Sequence, residues 1–329
     1  MHAMVLGICS AFFFAFSFIL NRAMELDGGS WMWSASLRYY FMLVFLLMIV
    51  GVRRNLGALF REMKQSPWQW LLWSVVGFGI FYGLLTFSAS FAPGWLIAGT
   101  WQITIISGSL LAPLFLEKVK MPDGQTCTRR GRIPWNRLTY SILIVIGVFV
   151  IQLAQSAVLP ISDLFLCFLS MIIASFAYPL GNRKMMEVCG NRLDAYQRVL
   201  GMTIASMPVW LLLSAIASFT HGPPSVSQIS NSALVAATAG VAATVLFFAA
   251  TDLVKDDMEK LGSVEATQSF AVLFAVAGEV LLLSGSLPSP LSWAGIALIV
   301  IGMILHSIKS HRKDRVPLPL SDKEKHPMP

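Results

Sequence analysis

Residues 65–116 read QSPWQWLLWSVVGFGIFYGLLTFSASFAPGWLIAGTWQITIISGSLLAPLFL, without a single Asp, Glu, Lys or Arg. One bilayer crossing takes roughly 20 apolar residues, so this run is long enough for two. It divides at Ser88-Ala89-Ser90-Phe91-Ala92-Pro93-Gly94, where small residues and a Pro-Gly pair mark a turn. The pattern recurs. Val199 to Thr251 is free of charge, and from Ala266 to Ser307 the only charged residue is Glu279. The chain of 329 residues is 56% hydrophobic and 12% charged, about half the charge of a soluble domain. Soluble enzymes, secreted domains and nucleic-acid binders are excluded, in spite of a net charge of +7. The chain reads as a polytopic, all-α integral membrane protein.

Hydropathy divides it into ten spans, at about 3–22, 32–52, 69–88, 94–116, 138–156, 161–181, 196–218, 231–251, 264–284 and 289–308. The first has only His2 before its apolar run and ends at Asn21-Arg22, so it reads as a retained helix and not a signal peptide. Of the 24 Lys and Arg, all but Arg22 and Arg38 fall around alternate loops or in the C-terminal tail. Basic residues stay on the cytoplasmic side. Both termini are therefore expected in the cytoplasm, which requires an even number of spans. The tail 309–329, with charges among Pro317, Pro319, Pro327 and Pro329, reads as disordered.

The two halves echo one another. Asn21-Arg22 closes the first span and Asn182-Arg183 the sixth; Arg38 follows 17 residues after Asn21, and Arg198 16 after Asn182. At an offset of 166, Gln102 pairs with Gln268 and Pro113 with Glu279. A duplicated five-helix unit is expected. Residues 1–156 form the first copy, carrying a basic cytoplasmic loop at 117–137, and 157–308 form the second. An odd number of spans per unit makes the second copy enter the membrane from the opposite side. That is the inverted-repeat arrangement of secondary transporters, whose substrate sites lie near the midplane between the halves.

Ser36-Leu37-Arg38-Tyr39-Tyr40, Pro113-Leu114-Phe115-Leu116-Glu117-Lys118, Ser289-Pro290-Leu291-Ser292-Trp293-Ala294-Gly295 and Val300-Ile301-Gly302-Met303 resemble helix-end motifs of the drug/metabolite transporter superfamily, ten-helix EamA-like branch. The resemblance covers about residues 3–308. Glu279 departs from the usual pattern by lying several residues inside the ninth span, which resembles the multidrug efflux subgroup. The shorter small multidrug resistance relatives carry a Glu in their first helix; here none occurs between Met1 and Leu20. The resemblance implies a location in the inner (plasma) membrane; no cofactor is expected, and the chain is expected as a monomer or homodimer.

Glu279 is the proton-coupling candidate. An acid at mid-helix costs about 2.5–3.5 kcal/mol on insertion scales and needs a partner, a wet cavity or a proton. The competing reading is a structural carboxyl bonded to a neighbouring helix. Arg38 could contact a substrate anion, act as counter-ion to Glu279, or snorkel to headgroups. Arg198 is its counterpart on the basic side. Gln102 and Gln268 could line a site or bond across helices. Trp101 and Tyr178 could wall a site for flat cations. Trp31, Trp33, Trp68, Trp70 and Trp73 lie at span ends and read as an interfacial belt. Gly147, Gly201, Gly240, Gly278 and Gly302 read as packing sites. Asp252, Asp256, Asp257 and Glu259, with Lys255 and Lys260 among them, read as a solvated loop. Cys9, Cys127, Cys167 and Cys189 form no CxxC pair, so no disulfide or zinc framework is expected. No P-loop, nucleophile elbow or His cluster suggests an enzyme. Proton-coupled efflux of lipophilic cationic drugs or metabolites is the expected function. A metabolite or amino-acid exchanger using Arg38 and Arg198 is one alternative. A lipid-binding or regulatory membrane protein without solute flux is another.

Overall fold

The computed structural model describes residues 2–53, 56–120, 126–133, 135–190, 192–253, 264 and 267–312. Its helices are α1 (His2–Leu26), α2 (Trp31–Val52), α3 (Leu56–Gln65), α4 (Pro67–Ala89), α5 (Gly94–Trp101), α6 (Thr104–Leu110), α7 (Trp135–Gln155), α8 (Ile161–Cys189) and α9 (Ala195–His221). Then come α10, made of Val226–Val235, Ala236–Ala242 and Ala243–Asp252, followed by α11 (Phe270–Leu283) and α12 (Pro290–Arg312).

Among the described residues, seven helical stretches are long and apolar enough to cross a membrane: α1, α2, α4, Leu138–Gln155 within α7, α8, α9 and Val226–Phe247 within α10. Of the other three expected spans, the tenth is the helix Pro290–Arg312, and the ninth is described over the 3₁₀ turn Thr267–Ser269 and the helix Phe270–Leu283. The fourth, expected as one span over 94–116, is broken into α5 and α6. At the break, Thr100 Oγ1 and Gln102 Nε2 donate to the Leu96 and Ala98 carbonyls, at 2.8 and 3.1 Å. The backbone there makes tighter bonds, Gln102 N–H to Gly99 O and Ile103 N–H to Thr100 O.

Two elements lie where loops were expected. Leu56, Leu59, Phe60 and Met63 recur at helical spacing, so the basic segment after α2 folds as α3 and seats a fully buried Leu59. The loop after α6 contains β1 (Leu116–Lys120) and β2 (Thr126–Arg130), antiparallel with Leu116 opposite Arg130. This ribbon is the one departure from an all-helical fold among the described residues. Residues 254–263 and 313–329, which hold most of the acidic cluster and nearly all of the tail, lie outside the described residues.

The expected halves interleave. α1 packs on α10 and α11; α8 packs on α4, α5 and α6. α2 packs on α9 and α10; α9 packs on α2 and α4. α5 meets α11 and α7 meets α12. Replace each span by the one five places away and this pattern maps onto itself. Both third spans of the halves also carry a π-helical stretch, Val75–Ile80 in α4 and Ala236–Ala242 in α10.

Close helix approach depends on glycine. A Cβ on Gly77 would stand 3.1 Å from the Gly181 Cα, which fixes the α4–α8 crossing. At the α7–α12 crossing, a Cβ on Gly147 would meet the Gly295 carbonyl oxygen at 2.6 Å. Trp68, 79% exposed, fits the interfacial belt; Trp70 does not, being buried against Gly201.

Candidate substrate site

At one end of the bundle lie the turns 27–30, 90–93, 222–225 and 284–289; the ribbon, Gly190 and residues 192–194 lie at the other. We call these the turn end and the ribbon end. A polar-aromatic cluster sits between them.

Arg38 lies seven residues from Trp31, about 10 Å along α2 at 1.5 Å per residue. It is buried, 8% exposed, and does not snorkel to the surface. Its guanidinium carbon lies 3.8 Å from the centroid of the Tyr82 ring and 5.3 Å from that of Tyr39. Such cation–π contacts are worth about 0.5–2 kcal/mol. Its Nε and Nη1 are enclosed and have no hydrogen-bond partner. Asn21 of α1 donates through Nδ2 to the Tyr82 hydroxyl at 3.0 Å, and its Oδ1 has no partner.

Tyr39 stacks on Trp210 of α9, with centroids 4.2 Å apart and planes at 12°. The Trp210 carbonyl accepts from Ser36 Oγ at 3.0 Å and from the Tyr40 hydroxyl at 3.1 Å, which pins α2 to α9. On the other side of Tyr82, Phe81 contacts Trp101 and Tyr178, at centroid distances of 4.9 and 4.7 Å, and those two rings meet edge-on at 5.5 Å. The fields of Arg38 and Arg198 both reach the Tyr178 hydroxyl. The expected residues Arg38, Trp101 and Tyr178 thus converge, with Arg198 nearby. Asn21, Tyr39, Phe81, Tyr82 and Trp210 complete the cluster and were not singled out from sequence as site residues; the one hint was the Tyr-Tyr pair following Arg38.

The two glutamines lie apart from this cluster in their contacts. Gln102, at the α5–α6 junction, turns its amide back to Ala98. Gln268, in the 3₁₀ turn before α11, donates to the Gly7 carbonyl at 3.2 Å and ties that turn to α1.

Glu279 is at the turn end, in the last turns of α11, and is 7% exposed. α5 begins at Pro93-Gly94, and neither side chain can cap it. Glu279 fills the role from another helix, its Oε2 accepting from the Trp95 N–H at 3.1 Å. A carboxylate at a helix N-terminus meets both open N–H groups and the positive end of the helix dipole. The cation whose field reaches Glu279 is Arg22, not Arg38. Arg22 donates to the Ala89 carbonyl at 2.8 Å and also faces Glu25, which lies beside Ser90 with its Oε1 enclosed and unpartnered. Glu25 was missed because it stands at a span end, where acids are ordinary.

The ribbon end is tied by ion pairs. Arg53 reaches Asp194 at 3.4 Å, and Arg192 reaches Glu62 of α3 at 2.9 Å. Asp194 also forms a capping box with Gln197 at the start of α9.

Residues 1–312 match the family described as "EmrE: Putative multidrug resistance efflux transporter". The chain belongs to this family. It is thus a multi-pass membrane protein of the drug/metabolite transporter superfamily, and the family implies a small-molecule substrate. Among relatives of this EmrE-family chain, "Uncharacterized protein YjlA" of Bacillus subtilis (strain 168) is 53% identical over 310 residues, covering 94% of this chain and 95% of that protein. The "Uncharacterized 42.1 kDa protein in intracellular alkaline protease 3'region" of Shouchella clausii is 47% identical over 269 residues, 82% of this chain and 70% of that one. A solved structure described as "Crystal structure of protein" superposes with a TM-score of 0.60 at 13% identity, over 95% of this chain and 99% of that chain, and so shares the fold.

Proposed function

We propose that this chain is a proton-coupled exporter of small organic molecules, with the substrate held in the aromatic cluster between two inverted halves. One observation carries the reading. The cluster draws Asn21, Tyr39, Tyr82 and Trp101 from one expected half, and Tyr178 and Trp210 from the other. A site shared in this way is remade whenever the halves rock against each other, as alternating access requires. The reciprocal pairing of the spans supports the same motion.

Glu279 is the proton-coupling group of this proposal. Ionised, it bridges α11 to the start of α5 and holds the turn end shut. Protonated, it loses the charge that strengthens its bond to the Trp95 amide, and the turn end loosens. The distribution of Lys and Arg supports placing the turn end outside the cell. An external proton then opens the site to the exterior and substrate leaves; as the turn end shuts again, Glu279 gives its proton up toward the inner side.

The test uses proteoliposomes with an imposed pH gradient and an internal pH dye, with quaternary ammonium compounds, amino acids and organic carboxylates added in turn. Substrate-triggered proton movement in the wild type, lost in Glu279→Gln, supports the reading. Equal proton movement in the variant removes Glu279 from coupling. Solute uptake without proton movement replaces antiport by uniport or exchange.

A further inference from the structure

Two orphaned polar groups border one ring. Arg38 offers two enclosed N–H-bearing nitrogens with no acceptor, and Asn21 offers a carbonyl oxygen with no donor, both beside Tyr82. Buried charges and amides ordinarily find partners, and hydrocarbon supplies none. Among the described residues no carboxylate joins the cluster. The ring faces of Tyr82 and Tyr39 offset part of the charge and the Tyr39 hydroxyl is within hydrogen-bond reach of the guanidinium, but Nε and Nη1 are left without an acceptor.

An occupant that satisfies both groups has a planar anion for the guanidinium, a hydrogen-bond donor for Asn21, and an apolar body for Phe81, Trp101 and Tyr178. A carboxylate matches the donor fork of an arginine. A lipophilic cation would face an uncompensated positive charge. We propose that Arg38 and Asn21 are the recognition pair of the central site, and that the transported molecule is an organic carboxylate with a neighbouring hydrogen-bond donor and an apolar or aromatic body. This substrate class rests on the efflux reading above, and binding is measured separately from flux so that the two can fail separately.

The experiment titrates phenylacetate, its 2-hydroxy analogue mandelate, the neutral phenylacetamide and tetraphenylphosphonium into the full chain in nanodiscs, by calorimetry. Both carboxylates bind, mandelate more tightly, and phenylacetamide at least about tenfold more weakly, a difference of 1.4 kcal/mol. Arg38→Gln erases the preference for acid over amide, and Arg38→Lys keeps part of it. Asn21→Ala removes only the advantage of mandelate. If Arg38→Gln does not fold, the acid–amide comparison on the wild type decides. Equal binding of acid and amide, no carboxylate binding, or an unchanged preference in Arg38→Gln overturns the proposal. Flux in proteoliposomes then separates the two readings. Mandelate that binds but is not moved leaves the anion site standing and refutes efflux. Tetraphenylphosphonium flux that survives Arg38→Gln, without carboxylate binding, refutes the anion site and leaves efflux.

Discussion

If Glu279 caps α5, then moving the cap onto α5 itself should make Glu279 dispensable for stability. Pro93 is the residue before the first turn, and Trp95, whose N–H Glu279 accepts, is the second helical residue. An N-cap side chain accepts from the second or third N–H, so an aspartate at 93 reaches the same donor. Glu279→Met leaves that amide without an acceptor, which costs about 1–3 kcal/mol. Removing a carboxyl from an apolar span offsets some of this, and that offset is independent of position 93. Pro93→Asp alone sets two carboxylates on one donor and destabilises. In the Glu279→Met background the same substitution restores a cap worth about 0.5–2 kcal/mol. The effect of Pro93→Asp therefore changes sign between backgrounds, with a coupling energy of at least about 1 kcal/mol. The measurement is thermal unfolding of the four proteins in one detergent, where 1 kcal/mol moves the midpoint by roughly 2 °C at such chain lengths. The same shift from Pro93→Asp in both backgrounds would show that Glu279 is not the cap of α5.

Three further outcomes follow from the packing. Gly181→Ala pushes a methyl into the Gly77 backbone and to 2.7 Å from the Trp73 carbonyl oxygen, and is expected to cost about 1–3 kcal/mol; Gly83→Ala, with open space around it, leaves the unfolding midpoint within about 1 °C, and equal shifts for the two would contradict the crossing. Trp210→Ala empties a fully buried site stacked on Tyr39 and is expected to cost about 3–5 kcal/mol, while Trp210→Phe keeps a ring and loses less than half of that in the same assay. Glu62→Gln breaks the pair with Arg192, whose side chain is 54% exposed, so denaturation is expected to show a loss under about 1 kcal/mol; a loss above 2 kcal/mol would mean that the pair bears load at the ribbon end.

The spans were legible because long gaps between charges have only one economical explanation in an apolar chain. The break between α5 and α6 was not, since residues 94–116 read as one apolar run and Thr100 and Gln102 look like ordinary span residues. α3 was hidden behind its basic residues, which drew attention away from Leu56, Leu59, Phe60 and Met63 at helical spacing. In the site, Arg38 stood out because a charge inside a span is rare. Asn21 and Tyr82 did not, because they are 61 residues apart and nothing in local spacing joins them. Glu279 was equally visible, yet its partner is a backbone amide, and no side chain at Trp95 advertises that role.

In α4, Trp70, Ser74, Phe78, Tyr82 and Thr86 are all buried, at intervals of four. An uninterrupted α-helix advances about 100° per residue, so each interval of four overshoots a full turn by about 40°, and such a row would wind off the packed face before Thr86. The π stretch Val75–Ile80 takes up one residue and resets the phase by about that same 100°. The helical wheel of this segment therefore has two origins, one before the stretch and one after it. The reset brings Tyr82 under Arg38 and leaves Phe81 to face Trp101 and Tyr178. Deleting one residue between 75 and 80 would leave an apolar helix of nearly the same length, still able to span, in which every ring beyond the deletion addressed the wrong neighbour.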